Sequence, residues 1–295
     1  MEILLVTGGR SSERIISLRS AKGVREALLK LGHGVTTFDF RQGYTKLKTC
    51  LKNTDIVFPI MHGKEGEDGT LYRFLQNNRI NYVGSNPKGA KTAFDKVLFK
   101  KYCEAKKIST APWRIVKTIK DITQFGLPCV LKAAHGGSSH EVVMIKSLKE
   151  LGRKRVHNIL ALPCLSYVEA LLQGIEITVG ILKDKALPVM EITPPEAEWF
   201  DYANKYSGKS RELPFAPSVP LKLQQEAQRI ARHIHKNLQL GAYSRSDFII
   251  QDGKLYILEV NTPGGVGLTP RSLFPRAATA AKLDFTALIA RILKA

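Results

Sequence analysis

The chain has 295 residues, 44% apolar and 24% charged, the composition of an ordinary soluble globular protein of roughly two domains. It holds no apolar run of the roughly 18 residues that cross a membrane, and the start MEILLVTGG enters a strand without a basic leader, so neither a span nor a signal peptide is expected. Lys and Arg outnumber Asp and Glu by 45 to 26, a formal charge of +19, but the basic residues lie in helix-like stretches such as KVLFKKYCEAKK (96–107) without interleaved aromatics. That pattern favours a solvated basic exterior over a nucleic-acid surface.

In chain order, EILLVT (2–7) is a short apolar strand, followed by a glycine turn and a helix-like segment 17–32 with Ser17 as a candidate N-cap. Strands are expected at 34–40, 55–60 and INYVG, with a helix over 70–78. This alternation argues for a parallel sheet with helices on its faces. Pro87 opens a long helix, 88–106, leading into a second domain. The middle portion offers strands at WRIVK, PCVLKAA and EVVMIK and a basic helix. Strands follow at IEITVGIL and ALPVMEIT, then an irregular loop 194–219, a helix 221–238, a hairpin 244–262 and a last helix 285–293. Cys50, Cys103, Cys129 and Cys164 form no CxxC pair, which points to reduced thiols in a cytoplasmic protein and away from a disulfide or zinc framework.

The hairpin SRSDFIIQDGKLYILEVNT sets Arg245, Asp247, Glu259 and Asn261 within apolar runs. A two-residue Asp-Gly turn pairs Gln251 with Lys254 and Asp247 with Leu258, which puts the two acids on opposite faces. A three-residue loop with Gly253 left-handed pairs Asp247 with Ile257, and Arg245 then faces Glu259 with Asp247 diagonal to it. In that second case the oxygen ligands share a face and suit a hard cation such as Mg²⁺. In the first, a solvated acidic surface is the simpler reading.

Other loops carry weaker signals. TGGRSSE (7–13) lacks the GxGxxG spacing of a dinucleotide turn, but sets Glu13 near the carboxyl end of the first strand, where open α/β sheets bind ligands. MHGKEGEDGT (61–70) carries His62 at another strand end. Lys132 closes PCVLK beside HGGSSH, a small-residue loop able to wrap phosphate oxygens, although no P-loop occurs. DYANKYSGKSREL (201–213) holds Lys205 and Tyr206 in an aperiodic stretch long enough for a lid.

Taken in order, GGRSSERIISLRSA, MHGKEGEDGT, GGSSH, DYANKY, SRSDF and LEVNT resemble the D-alanine–D-alanine ligases of the ATP-grasp superfamily, over essentially the whole chain. The resemblance implies an α/β protein with an N-terminal Rossmann-like (pre-ATP-grasp) domain, 1–87, and a two-subdomain α+β ATP-grasp fold, 88–167 and 168–295. It implies ATP held by Lys96, Lys132 and Lys205, with Glu169 and Leu172 flanking the adenine and Glu176 on the ribose. Asp247, Glu259 and Asn261 would hold Mg²⁺, with Mn²⁺ as a substitute and two ions in the site. Glu13, Ser138 and Tyr206 would form a hydrogen-bonded set, with Glu13 on the ammonium of the first D-alanine. His62 would approach that substrate, Arg245 would face the developing oxyanion, and Ser272 with Leu273 would hold the second carboxylate.

The implied reaction is ATP-dependent synthesis of D-alanyl-D-alanine for peptidoglycan, by a cytoplasmic homodimer with no nucleic-acid or membrane partner. The alternatives are an ATP-grasp carboxylate–amine ligase with another second substrate, or a nucleotide-binding homologue without ligase activity. Departures from the family pattern are His140-Glu141 after Ser139, Ala133-Ala134 after Lys132, and a longer TPGGVGLTPRSL run. The last offers Gly264 or Gly265 as the oxyanion N–H and bears on the choice of second substrate.

Overall fold

A computed structural model describes residues 1–136, 141–193 and 211–294, which form three sheets. The first is parallel, with β1 (Glu2–Thr7) between β2 (Gly34–Asp39) and β3 (Ile56–Ile60). As the middle strand of a sheet covered on both faces, β1 is buried from Ile3 onward, which is why EILLVT is continuously apolar rather than alternating. INYVG does not form a full strand. It joins β3 through one parallel bridge, Val57 to Tyr82, with Val57 N–H donating to Asn81 O and Val83 N–H to Val57 O.

The first helix runs from Arg14 to Lys30 and so begins three residues before the expected cap. Ser17 is buried inside it, accepting from Gly8 N–H at 3.0 Å and donating to Ile60 O. Its hydroxyl ties the ends of β1 and β3 together, and this tertiary use displaces the capping role.

The expected long helix is two helices, Pro87–Phe94 and Lys96–Ala105. Asp95 leaves the helical region between them and caps the second, accepting from Val97 N–H and Leu98 N–H at 3.0 Å each. The antiparallel central sheet has the order β4-β7-β5-β6: Trp113–Val116, Ser166–Ala170, Cys129–Ala133 and Val142–Ile145. Two helices, Ile119–Phe125 and Lys154–Leu160, contribute to its core.

The third sheet holds β8 (Ile175–Leu182), β9 (Lys185–Ala186), β10 (Met190–Thr193), β11 (Arg211–Pro214), β12 (Tyr243–Gln251) and β13 (Lys254–Asn261). Thus part of the loop expected over 194–219 is strand β11. Helix Leu221–Asn237 packs Ala227, Ala231 and Ile234 against Ile177, Val179, Phe248 and Ile250. Helix Leu273–Ala280, not anticipated in the sequence, and helix Phe285–Leu293 share a core with Ile3, Leu5, Val24 and Leu28. The end of the chain therefore helps to bury one face of its first sheet.

Candidate active site

The hairpin resolves by neither of its two simple registers. The turn is the two-residue one: Gln251 pairs with Lys254, and Asp252 and Gly253 take φ +51° and +69°. Yet Phe248 pairs with Ile257 while Asp247 pairs with Glu259, so Leu258 is an extra residue in a β-bulge. The bulge restores the shared face that a regular two-residue hairpin would deny. Arg245 consequently lies across from Asn261 and not from Glu259.

Around that bulge the polar groups are closely interlocked. Arg245 grips Asp247 with two bonds, Nε to Oδ1 at 2.9 Å and Nη2 to Oδ2 at 2.8 Å. Thr178 Oγ1 donates to Asp247 Oδ1 at 2.6 Å, and Asn261 Nδ2 to Oδ2 at 3.0 Å. Arg245, Asp247 and Thr178 are buried, so the bidentate pair and its extra donors are what make these charges tolerable there.

The hairpin forms one wall of a cavity of about 420 Å³. Glu13, His62, Lys96, Lys132, Glu176, Arg245, Asp247, Glu259, Asn261, Ser272 and Leu273 all line it. Lys96 reaches it because the helix breaks at Asp95; its Nζ donates to Gly136 O at 2.6 Å. His62 is buried, and its Nε2 has no hydrogen-bond partner among the described residues. Burial pushes its pKa down, Glu13 pulls the other way and Arg245 adds to the depression. Ser272 starts helix 273–280, its hydroxyl 2.8 Å from Thr269 Oγ1.

Two predicted nucleotide residues do not line this cavity. Glu169 is buried, its carboxylate shared by Lys100 and Lys132. Leu172 packs with Ala111 and Ile249. Ser138, Lys205 and Tyr206 lie outside the described residues. Among the described residues no group of three or more His, Cys, Asp or Glu gathers as a metal centre, so a cation there would rest on Asp247 and Glu259 with an amide.

A parallel sheet, two antiparallel sheets and a polar cavity lined by residues from all three regions have close counterparts among known proteins. The chain matches the family model described as D-ala D-ala ligase C-terminus over residues 100–294, and D-ala D-ala ligase N-terminus over 41–85. The chain belongs to the D-alanine–D-alanine ligase family. It is 36% identical to a D-alanine–D-alanine ligase of Maridesulfovibrio salexigens over 100% of this chain and 98% of the relative. With that of Clostridium botulinum the identity is 35% over 99% and 97%. The D-alanine–D-alanine ligase of Bacillus anthracis, crystallised with ATP, superposes with a TM-score of 0.86 at 27% identity, covering 100% of this chain and 96% of that one. D-alanyl-alanine synthetase A of Vibrio cholerae gives 0.86 at 25% identity, over 100% and 97%.

In this ligase-family chain the motifs drew attention to many of the cavity-lining residues and passed over several polar residues that line or brace the cavity. Glu67, in the same loop as His62, lines the cavity and accepts from Gly63 N–H at 2.6 Å. A Cβ on Gly265 would stand 2.1 Å from Glu67 Oε2, so any side chain there would have to displace the Glu67 carboxylate. Thr178 and Lys100 were likewise missed. Thr178 reads as an ordinary β-strand residue and Lys100 as part of a solvated basic face.

Proposed function

We infer that this protein joins two D-alanine molecules with ATP, giving D-alanyl-D-alanine, ADP and phosphate for peptidoglycan synthesis. The observation that carries the reading is the bulged hairpin: it sets Arg245, Asp247, Glu259 and Asn261 on the wall of a cavity whose lining also includes Lys96, Lys132, Glu13 and His62. A cavity with that lining can accept a nucleotide, a carboxylate and an ammonium together.

In the first step a carboxylate oxygen of one D-alanine attacks the γ-phosphorus of ATP, the bond to the β,γ-bridging oxygen breaks, and ADP leaves. The product is an acyl phosphate. In the second step the free amine of the other D-alanine attacks that acyl carbon, the amine loses its proton and inorganic phosphate departs. Lys96 and Lys132 bind phosphate oxygens, while Glu176 takes the ribose. Glu13 pairs with the first ammonium, and the unpartnered Nε2 of His62 supplies a neutral hydrogen-bonding group beside it. Arg245 stabilises the charge on the tetrahedral oxygen, a term of the kind worth roughly 10²–10³ in kcat when one donor is removed. Ser272 and Leu273 hold the second carboxylate. On the family pattern Lys205, Tyr206 and Ser138 complete the closed site, with Glu169 and Leu172 on the adenine side.

Asp247, Glu259 and Asn261 fit a hard divalent cation: all three offer oxygen, and a single guanidinium, Arg245, stands beside two carboxylates paired across the hairpin. Mg²⁺ held by these residues would supply positive charge against the charge that develops in phosphoryl transfer. Mn²⁺ is the expected substitute, and two ions the expected number. The reading is of a cytoplasmic homodimer. No helix among the described residues is long and apolar enough to cross a membrane.

Phosphate release from Mg-ATP tests the function, with D-alanine beside L-alanine, D-lactate and D-serine, and with dipeptide identified by mass. D-alanine-dependent release, reduced by about 10² or more in Asp247→Asn, is expected. Turnover without preference for D-alanine would move the protein to another acceptor.

A further inference from the structure

Behind the phosphate-facing wall of the cavity lies a lysine that does not line it. Lys100, on helix 96–105, is 1% exposed. Its Nζ lies 2.5 Å from Glu169 Oε2, and Lys132 Nζ lies 2.5 Å from Oε1 of the same carboxylate. Lys100 also donates to Thr110 Oγ1, which in turn donates to Ile257 O at 3.0 Å. Ile257 N–H closes the junction by donating to Ser109 O at 2.9 Å. Ile257 adjoins the bulged Leu258, so a single chain of contacts runs from Lys132 to the strand that carries Glu259.

Two lysines on one carboxylate leave this group with one excess positive charge. A simple buried ion pair carries no excess, and apolar residues often replace such a pair without loss of stability. Lys132 is the member that lines the cavity, where Glu259 and Glu176 also bear on it, so its ammonium is placed where an anion can reach it. Burial lowers the Lys100 pKa against the pull of Glu169. Lys132, opposed by burial as well, is held above its ordinary value by the same carboxylate, with Glu259 and Glu176 adding to the pull.

We propose that Lys100 is a positioning residue for the nucleotide: it anchors Glu169 from the interior, so that Glu169 fixes the Lys132 ammonium at the cavity wall for an anionic phosphate. Lys100 itself touches no substrate. The inference rests on the reading of the cavity as an ATP site.

The test is a double-mutant cycle of Lys100→Met and Lys132→Met, read by calorimetric Mg-ATP binding and by separate KM values for ATP and D-alanine. Lys100→Met is expected to weaken Mg-ATP by about tenfold while the KM for D-alanine stays within about twofold. In the Lys132→Met background the same change should have no further effect on nucleotide affinity, because the residue it positions is gone. An equal loss in both backgrounds would make Lys100 a structural residue only, and unchanged ATP affinity in the folded single variant would overturn the proposal outright. Should Lys100→Met fail to fold, Lys100→Gln, which removes the charge and keeps a polar end, carries the same comparison. Failure of the wild-type protein to bind Mg-ATP would instead refute the ATP reading, and it would be seen before any variant was made.

Discussion

Glu67 sits where several carboxylates converge. Burial, and then the nearby charge of Glu13, push its pKa up to about 8; Gly63 N–H and Lys96 oppose the shift, and Glu259 adds to it. Its ordinary value is 4.5, so between about pH 4.5 and 8 the folded protein binds a proton that the unfolded chain releases. Stability from this site must therefore fall as pH rises through that window. Glu67→Gln removes the titration and keeps the shape. The wild type should lose melting temperature relative to Glu67→Gln as pH goes from about 5 to about 8, other groups cancelling in the difference. A difference that stays constant with pH would count against a protonated Glu67. Single residues were legible in the sequence where they sat in a distinctive loop or hairpin, as Glu13, His62, Arg245 and Asp247 do. Glu67 and Lys100 were not, because their roles come from burial and from partners 198 and 69 positions away, Gly265 and Glu169, which no local pattern encodes.

At the scale of an element, the hairpin β12–β13 shows what local chemistry decides and what it leaves open. Asp252-Gly253 specifies a tight turn, and both residues take positive φ as that turn demands. The bulge at Leu258 was not legible: nothing in DGKLYILEVNT distinguishes a leucine that pairs from one that is skipped. The choice is made by the neighbouring strands. β12 pairs with β8 as well as β13, and Thr178 of β8 reaches Asp247, so the charged face is fixed from the far side. The helix break at Asp95 follows the same logic. An aspartate inside a helical pattern is a weak sign by itself, and it becomes a cap here as Lys96 N–H bonds to Ala134 O. Gly253→Ala should therefore cost about 1–2 kcal/mol, the usual penalty for an ordinary residue in the left-handed region. Asp252→Asn should be close to neutral, since asparagine tolerates that region. Denaturant unfolding of the two variants checks this, and equal stability of Gly253→Ala with wild type would show that the turn does not hold the register.

For the whole molecule, alternation of strands and helices foretold an α/β start, but not that helices 273–280 and 285–293 would pack into the core of the first sheet. Apolar periodicity names a face and leaves its partner unspecified. This shared core links β1 and β3 to the loop that brings Gly265 to Glu67, so Glu13 and His62 are tied mechanically to the hairpin that carries Asp247. A ligand that touches Lys96, Lys132 and the hairpin at once should stabilise the protein as a unit rather than one sheet alone. At 100 times its Kd, Mg-ATP should add about 2.7 kcal/mol, a rise of several degrees in a single melting transition. The formal charge of +19 adds a second expectation. Anionic nucleotide is drawn toward the protein by a long-range field, and salt shortens the reach of that field. Association of Mg-ATP, followed by stopped flow, should slow as ionic strength rises from about 0.01 M to 0.15 M, where the screening length shrinks from about 30 Å to 8 Å. Dissociation should change far less, because Lys96 and Lys132 are half-buried in the cavity wall, where salt screens charges less. An association rate indifferent to salt would mean that the basic exterior serves solubility alone, and that the lysines in the cavity do their work only after the nucleotide has arrived.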